Sequence, residues 1–228
     1  MNETKAAELG RSVHHWLEFQ VACRQEMLLS EAYLAQPTGE FLRAQHTEEI
    51  KAEWTIPGLK TGKRGRPKQL DYVLLSRNKG RLTTAIEAKW VRSTQGETQR
   101  VVADLLRLER IRSGVTGQSV DRYFLVASRV DDFQSNFLDL QVQDQGLKPF
   151  LPPLLNVNNA TPKQVRIDTS TGPWRGFFKT FGESYEVTLP KSFTSKLIVD
   201  VPGSAIRLAL WRVSSSQNRS QIHASTLL

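Results

Sequence analysis

Two apolar runs of strand length, "QLDYVLL" at residues 69–75 and "LTTAIEAKWV" at 82–91, lie only six residues apart, and an amphipathic segment then leads to a third run, "RYFLVASR", at 122–129. This succession permits few folds. The six residues "SRNKGR" suffice for a hairpin, which makes the first two strands antiparallel neighbours. In "TQRVVADLLRLERI", Val101, Leu105 and Leu108 share one helical face, and Thr94 with Glu97 fits a capping box that starts a helix near residue 97. A helix of that length carries the chain back across the sheet, so the third strand pairs with its predecessor in parallel. An α/β domain around a mixed sheet is expected.

Upstream, "RSVHHWLEFQVACRQEMLLSEAYLA" spaces Val13, Leu17, Val21, Arg24 and Leu28 at intervals of three and four, which predicts one amphipathic helix over about residues 11 to 35. "EEIKAEWTIPG" then alternates and ends at Pro57-Gly58, a strand followed by a turn. The order over residues 1–150 is thus helix, three strands, helix, strand. Beyond it, the Pro- and Asn-rich "KPFLPPLLNVNNATPKQ" reads as a linker to a small β-rich appendage over 151–228, where Ile206, Leu208 and Leu210 alternate with Arg207, Ala209 and Trp211. From about residue 214 the polar sequence reads as a frayed tail.

With 31 Lys and Arg against 23 Asp and Glu, the formal charge is +8, which favours a polyanionic partner because neutralised phosphates release their condensed counterions. Nucleic acid is the leading partner. A single cysteine, Cys23, allows no internal disulfide and no cysteine-based zinc site, which suits the reducing cytoplasm. No apolar stretch has the length of a membrane helix and the first residues hold no signal-peptide core, so no membrane association is expected.

The chemistry concentrates in the strand pair. Glu-x-Lys occurs three times, at Glu3-Thr4-Lys5, Glu49-Ile50-Lys51 and Glu87-Ala88-Lys89, and since no Asp precedes Asp71, only the third copy has a strand aspartate upstream. Residues i and i+2 of a strand share a face, so Glu87 and Lys89 project together while Ala88 turns away. If Asn78-Lys79-Gly80 forms a three-residue loop with Gly80 in the left-handed region, Arg77 faces Arg81 and Asp71 lies opposite Glu87. A two-residue loop would instead oppose Asp71 to Ile86 and send the carboxylates to opposite faces. An exposed cross-strand ion pair is the ordinary alternative and contributes little to stability. The apolar flanks "YVLL" and "TTAI" argue for central strands, where carboxylates are costly unless a cation joins them.

"LDYVLL" followed by "AIEAKW", with a helix and strand before and after, resembles the PD-(D/E)XK superfamily of restriction-endonuclease-like nucleases. The resemblance spans roughly residues 10 to 130 and rests on three side chains. It implies a restriction-endonuclease-like core and an endonuclease that hydrolyses phosphodiester bonds, more often of DNA than RNA, with Mg²⁺ or Mn²⁺. It further implies that Asp71 and Glu87 ligate the metal, assisted by the Ala88 carbonyl, while Lys89 positions or helps deprotonate the attacking water. Leu70 stands where the family name has proline. Many relatives draw a further glutamate from the first helix, in a setting like "GRSVHHWLEFQVA", which nominates Glu18 ahead of Glu26 and Glu31. Gln99 and Arg100, one turn into the second helix, are nominated to reach a phosphate. Active forms of this fold are often homodimers, because two scissile strands need two sites. A non-catalytic DNA-binding module on a degenerate nuclease fold is the rival reading.

Lys63-Arg64-Gly65-Arg66-Pro67-Lys68 resembles an AT-hook, whose arginines lie in a narrow minor groove, so Lys63, Arg64, Arg66 and Lys68 are candidate nucleic-acid contacts beside the site. A solvated turn is the plainer alternative. His14 and His15 are adjacent and His46 and His223 isolated, which gives no helically spaced metal pair; all four read as surface residues. The aromatics of "PWRGFFKTF" read as core of the β unit in preference to a base-stacking platform. No GxxxxGK phosphate loop is present.

Overall fold

The computed structural model describes residues 1–55, 69–77, 80–92, 97–109, 111, 119–135, 164–168, 175–176, 178–180, 189–190, 192–215 and 221–222. The hairpin and crossover form as their sequence requires. Strand β1 (Glu49–Thr55), β2 (Gln69–Leu75) and β3 (Leu82–Val91) make an antiparallel meander. Helix α3 (Glu97–Glu109) then crosses to β4 (Asp121–Arg129), which pairs with β3 in parallel from Thr84↔Asp121 to Val91↔Ser128.

The C-terminal strands do not form an appendage. β8 (Ile206–Ser215) pairs antiparallel with β4, β7 (Ser192–Pro202) pairs with β8, and β5 (Gln164–Asp168) pairs with β7. One seven-stranded mixed sheet results, in the order β1-β2-β3-β4-β8-β7-β5, beside a two-stranded ribbon of β6 (Leu189–Pro190) and β9 (Gln221–Ile222). The reason is the strand β4: it is buried at seven successive positions, which an edge strand could not be, so it needs a partner on its far side. The alternation of Ile206, Leu208 and Leu210 against Ala209, Trp211 and Val213 serves two faces of that sheet, both covered.

The expected first helix is two helices. Helix α1 (Glu3–Ala22) is capped by the Asn2 side chain, which accepts the Lys5 amide at 2.9 Å, and buries Ala6, Leu9, Val13 and Leu17 on one stripe. It stops because Arg24 adopts φ 60° while the Gln25 amide donates to the Gln20 carbonyl at 2.9 Å and the Arg24 amide to Val21 at 2.8 Å. That closure satisfies the last carbonyls of the helix, and it normally uses glycine at the left-handed position. Helix α2 (Glu31–Gln45) follows a short 3₁₀ turn (Glu26–Leu28), and Leu28, expected on a helical face, is exposed, as is its neighbour Met27. Pro37 within α2 obscures its pattern, yet Leu34, Pro37 and Leu42 are buried.

The layers follow. Helices α1 and α2 cover one face, packing Leu9, Val13 and Leu34 with Tyr72, Ile86, Leu125 and Leu208. Helix α3 covers the other, packing Val101, Leu105 and Leu108 with Val73, Ala85, Val126 and Trp211, joined by Phe133 of the short α4 (Val130–Phe133). Phe178 belongs to this second core; Trp174, Phe177 and Phe181 lie outside the described residues. Among the described residues no helix is long and apolar enough to cross a membrane.

Candidate active site on strands β2 and β3

The register of the hairpin decides whether the two carboxylates meet. Tyr72 pairs with Ile86, Val73 with Ala85 and Leu74 with Thr84, and this register sets Asp71 across from Glu87. The turn differs from the three-residue loop. The Ser76 amide donates to the Arg81 carbonyl at 2.8 Å and the Gly80 amide to the Ser76 carbonyl at 2.8 Å, so Ser76, not Arg77, opposes Arg81. Gly80 does take a left-handed φ of 56°. A bulge then makes Leu75 pair with Leu82, with Thr83 as the extra residue, and its hydroxyl donates to the Leu74 carbonyl at 3.1 Å. The longer loop and the bulge cancel, and the face of every residue beyond them is kept.

Glu87 and Lys89 meet helix α3. Glu87 is only 4 % exposed, and its Oε1 is ion-paired with Nη2 of Arg107. The same Nη2 lies 2.9 Å from Oδ1 of Asp104, whose Oδ2 is 3.3 Å from the Lys89 ammonium. Lys89 reaches on to Oε2 of Glu31, at the start of α2, at 2.7 Å. Oδ2 of Asp71 accepts the Ala88 amide at 2.7 Å. An extended residue sends its amide and carbonyl to the same neighbouring strand, so the Ala88 carbonyl leaves on the side of β2. Among the described residues four carboxylates, Asp71, Glu87, Asp104 and Glu31, therefore surround two cations, in a chain that is basic as a whole. The second carboxylate oxygen of Glu87 is buried with no hydrogen-bond partner among the described residues.

This imbalance appears in the protonation of the acids. Burial pushes the Asp71 carboxyl up to about 6, against the Ala88 hydrogen bond, and the nearby Glu31 and Asp104 charges add to the rise. Burial and the Asp71 charge likewise raise Glu87 well above the ordinary carboxylate range, and Arg107 only partly offsets them. Lys89 is raised too, which for an amine keeps it charged: burial disfavours the ammonium, but Asp104 and Glu31 outweigh that and hold it protonated above its usual range. The contrast with Glu49 and Lys51 is direct. They have the same spacing on β1 and form a 3.3 Å pair whose side chains are about half exposed, an ordinary solvated contact.

Comparison with family models, curated proteins and solved structures finds no match.

Beside the carboxylates a cavity of about 400 Å³ opens between α2 and the meander, with Asp71, Tyr72 and Ala88 in its wall. Small side chains leave this space: Ala32 and Ala35 on α2, and Ala52 on β1. Glu53 also lines it, at φ 49°, a left-handed conformation that costs a non-glycine residue of order 1–3 kcal/mol. The pairs Ala52↔Tyr72 and Trp54↔Leu70 place Glu53 across from Asp71, so Glu53, Asp71 and Glu87 occupy one row over three strands.

The structure does not bring Glu18 to this row. Its Oε1 accepts the amides of Ala205 at 3.1 Å and Ile206 at 2.9 Å, and its Oε2 accepts the Ser204 hydroxyl at 3.0 Å. Burial works to raise its carboxyl, but these hydrogen bonds prevail and hold it below the usual range. Glu18 ties α1 to the β7–β8 turn. Glu18→Gln should lower stability by about 1–2 kcal/mol in urea unfolding, because an amide cannot accept all three donors, while leaving any activity per folded molecule unchanged. Gly203→Ala in the same turn should cost about 1–3 kcal/mol by the same measurement. Its Cβ would collide with the Glu18 carboxylate and lie 2.5 Å from both His14 Nε2 and the Ile206 carbonyl oxygen.

His14 is a buried residue, not a surface one: it is 4 % exposed, and its Nε2 donates to the Ile206 carbonyl at 3.1 Å. His46 is likewise largely buried, with Nδ1 3.3 Å from Glu48. Among the described residues no three of His, Cys, Asp and Glu are grouped to hold a metal unaided. Lys63, Arg64, Arg66, Lys68 and the Thr94 cap lie outside the described residues, as does the side chain of Gln99. Arg100 is exposed and paired with Glu97 at 3.4 Å. Among the described residues of α3, Asp104 and Arg107 reach the site, and the helix glutamate that does so is Glu31. Asp104 carries a sequence signal, since it lies between Val101 and Leu108 on the apolar stripe, where an acid needs a partner.

Proposed function

We propose that the chain is a metal-dependent nuclease that hydrolyses phosphodiester bonds, most often of DNA, with Asp71, Glu87 and Lys89 at its centre. The observation that carries this reading is the pair of facing carboxylates on β2 and β3, both raised, one with a buried oxygen that has no partner. Such a group is costly to bury and calls for a cation. The donor set suits Mg²⁺ or Mn²⁺, hard cations that take one or two carboxylates, a carbonyl and water. Asp71 and Glu87 would hold the metal, with the Ala88 carbonyl beside them. When bound, the metal would lower the pKa of a water and shield the charge that develops on the phosphate.

The residues supply the rest. Lys89, kept as an ammonium by Asp104 and Glu31, orients the attacking water and meets the phosphate as a cation. Glu31 holds Lys89 from the opposite helix layer. The element order of helices, meander, crossover helix and parallel strand supports a restriction-endonuclease-like core. The basic segment around Arg64 and Arg66 would draw in the phosphate backbone, and a homodimer would set one site on each strand of a duplex.

The test is cleavage of plasmid and single-stranded DNA with Mg²⁺, with Mn²⁺ and with EDTA, for the wild type, Lys89→Ala and Asp71→Ala. Activity that needs the metal and is lost in both variants supports the nuclease, and activity unchanged in either overturns the site. One observation favours the rival, a non-catalytic DNA-binding module: Arg107 already neutralises one oxygen of Glu87. Salt-sensitive DNA binding with no cleavage under any metal would decide for that module.

A further inference from the structure

We infer that Arg107 is the resident counter-cation of Glu87 and competes with a divalent metal for that carboxylate, with Asp104 as the residue that keeps hold of the displaced guanidinium. This regulation of metal loading rests on the metal-dependent reading above. The ion pairs of Lys89 are with Asp104 and Glu31, so it is Arg107 that neutralises Glu87. A guanidinium and a divalent cation repel each other, and with Arg107 on Oε1 a metal meets only Oε2 of Glu87, beside a full positive charge. The metal therefore gains both oxygens and the full charge of Glu87 only as Arg107 leaves it.

Arg107 is set up to leave. Its Nη2 already bridges to Asp104, 2.9 Å away and one helical turn before it on α3, a contact that does not depend on Glu87. Its Nε is buried with no partner among the described residues, so the guanidinium is not fully satisfied where it rests. Glu87 has the matching deficit at Oε2. A donor and an acceptor left unmet in one contact mark an arrangement that a further ligand can improve. Asp104 thus has two duties, holding Lys89 by one oxygen and Arg107 by the other.

Opposite effects follow from the two α3 residues. With Mn²⁺ alone as probe and the full chain without nucleic acid, free metal is read by electron paramagnetic resonance and heat by titration calorimetry at pH 8. Arg107→Gln should bind Mn²⁺ at least tenfold more tightly than the wild type, which is about 1.4 kcal/mol. Arg107→Lys keeps the charge but loses the fork, and should still tighten binding at least threefold, whereas a mere field effect would leave it unchanged. Asp104→Asn should weaken binding at least threefold. Arg100→Gln, which removes an exposed cation from the same helix, should stay within twofold. Urea unfolding verifies each variant, and if Arg107→Gln does not fold, Arg107→Lys and Asp104→Asn carry the test.

Equal or weaker Mn²⁺ binding in the Arg107 variants overturns the competition while the metal site stands. No Mn²⁺ binding by the wild type or any variant, or binding unaffected by Asp71→Asn, overturns the metal site itself and the competition with it.

Discussion

Lys89→Ala is expected to lower metal-dependent DNA cleavage by about 10²–10⁴-fold, the range typical of a positioned group that acts on a proton in flight or a developing charge. The expectation comes from where the ammonium stands. It is 13 % exposed, two residues from Glu87 on the same face of β3, and fixed by carboxylates from both helix layers. A lysine so held cannot readily give up its proton in the resting protein, so the loss should fall on kcat and not on the affinity for DNA. Asp71→Ala should cost at least as much, because it removes one of two carboxylates available to a metal. Lys51→Ala, taken from the solvated Glu-x-Lys of β1, provides the control and should leave cleavage unchanged. If Lys51→Ala and Lys89→Ala reduce cleavage equally, the loss reflects net charge and the site is wrong.

How far this site could be read from sequence depends on which physical signals are local. The ends of β2 and β3 and the parallel crossing to β4 follow from the lengths of the apolar runs and of the connections, both written in adjacent residues. The Asp71–Glu87 register was legible only because two departures compensate: the loop is one residue longer than expected, and Thr83 is one residue too many in β3. Either one alone would have turned the carboxylates apart.

Other features had no local signal. The break between α1 and α2 places arginine in a position that usually holds glycine, so nothing in "VACRQEMLL" announces it. The β4 residues that pair with β8 lie 77 to 89 positions earlier in the sequence, which makes the C-terminal strands look detached. Glu18 met the criterion applied to it, a carboxylate beside an apolar face in need of a partner, but that partner was the β7–β8 turn. Asp104 is the exception, signalled by its place between Val101 and Leu108 on the apolar stripe, whereas Arg107 is not, because periodicity counts a charge as the outside of a helix and here both serve its inside.

Asp71→Asn should stabilise the metal-free protein at neutral pH and destabilise it, relative to the wild type, once metal is added. The first half follows from linkage. The Asp71 carboxyl titrates near 6 in the folded chain and at 3.8 ordinarily, so the folded state binds the proton more tightly than the unfolded state does. The stability this contributes is fully present below about pH 4 and is lost as pH rises through 6. At about 1.4 kcal/mol per pH unit, the ionised carboxylate costs the fold up to ~3 kcal/mol at pH 8. Asparagine keeps an oxygen for the Ala88 amide and carries no charge, so in EDTA the variant should melt several degrees above the wild type at pH 8 and together with it at pH 4. The second half follows from mass action. A ligand that binds only the folded state adds RT ln(1 + [L]/Kd), about 2.7 kcal/mol at a hundredfold excess over Kd. Saturating Mg²⁺ or Mn²⁺ should therefore raise the wild type and not the variant, and the order of melting temperatures should reverse. Thermal denaturation of the two proteins at pH 4 and 8, with EDTA and with each metal, reads both halves without any nucleic acid. A variant that melts below the wild type in EDTA at pH 8 would show that Asp71 is a stabilising ion-pair partner, and a wild type that gains nothing from metal would leave its buried carboxylates without the cation they call for.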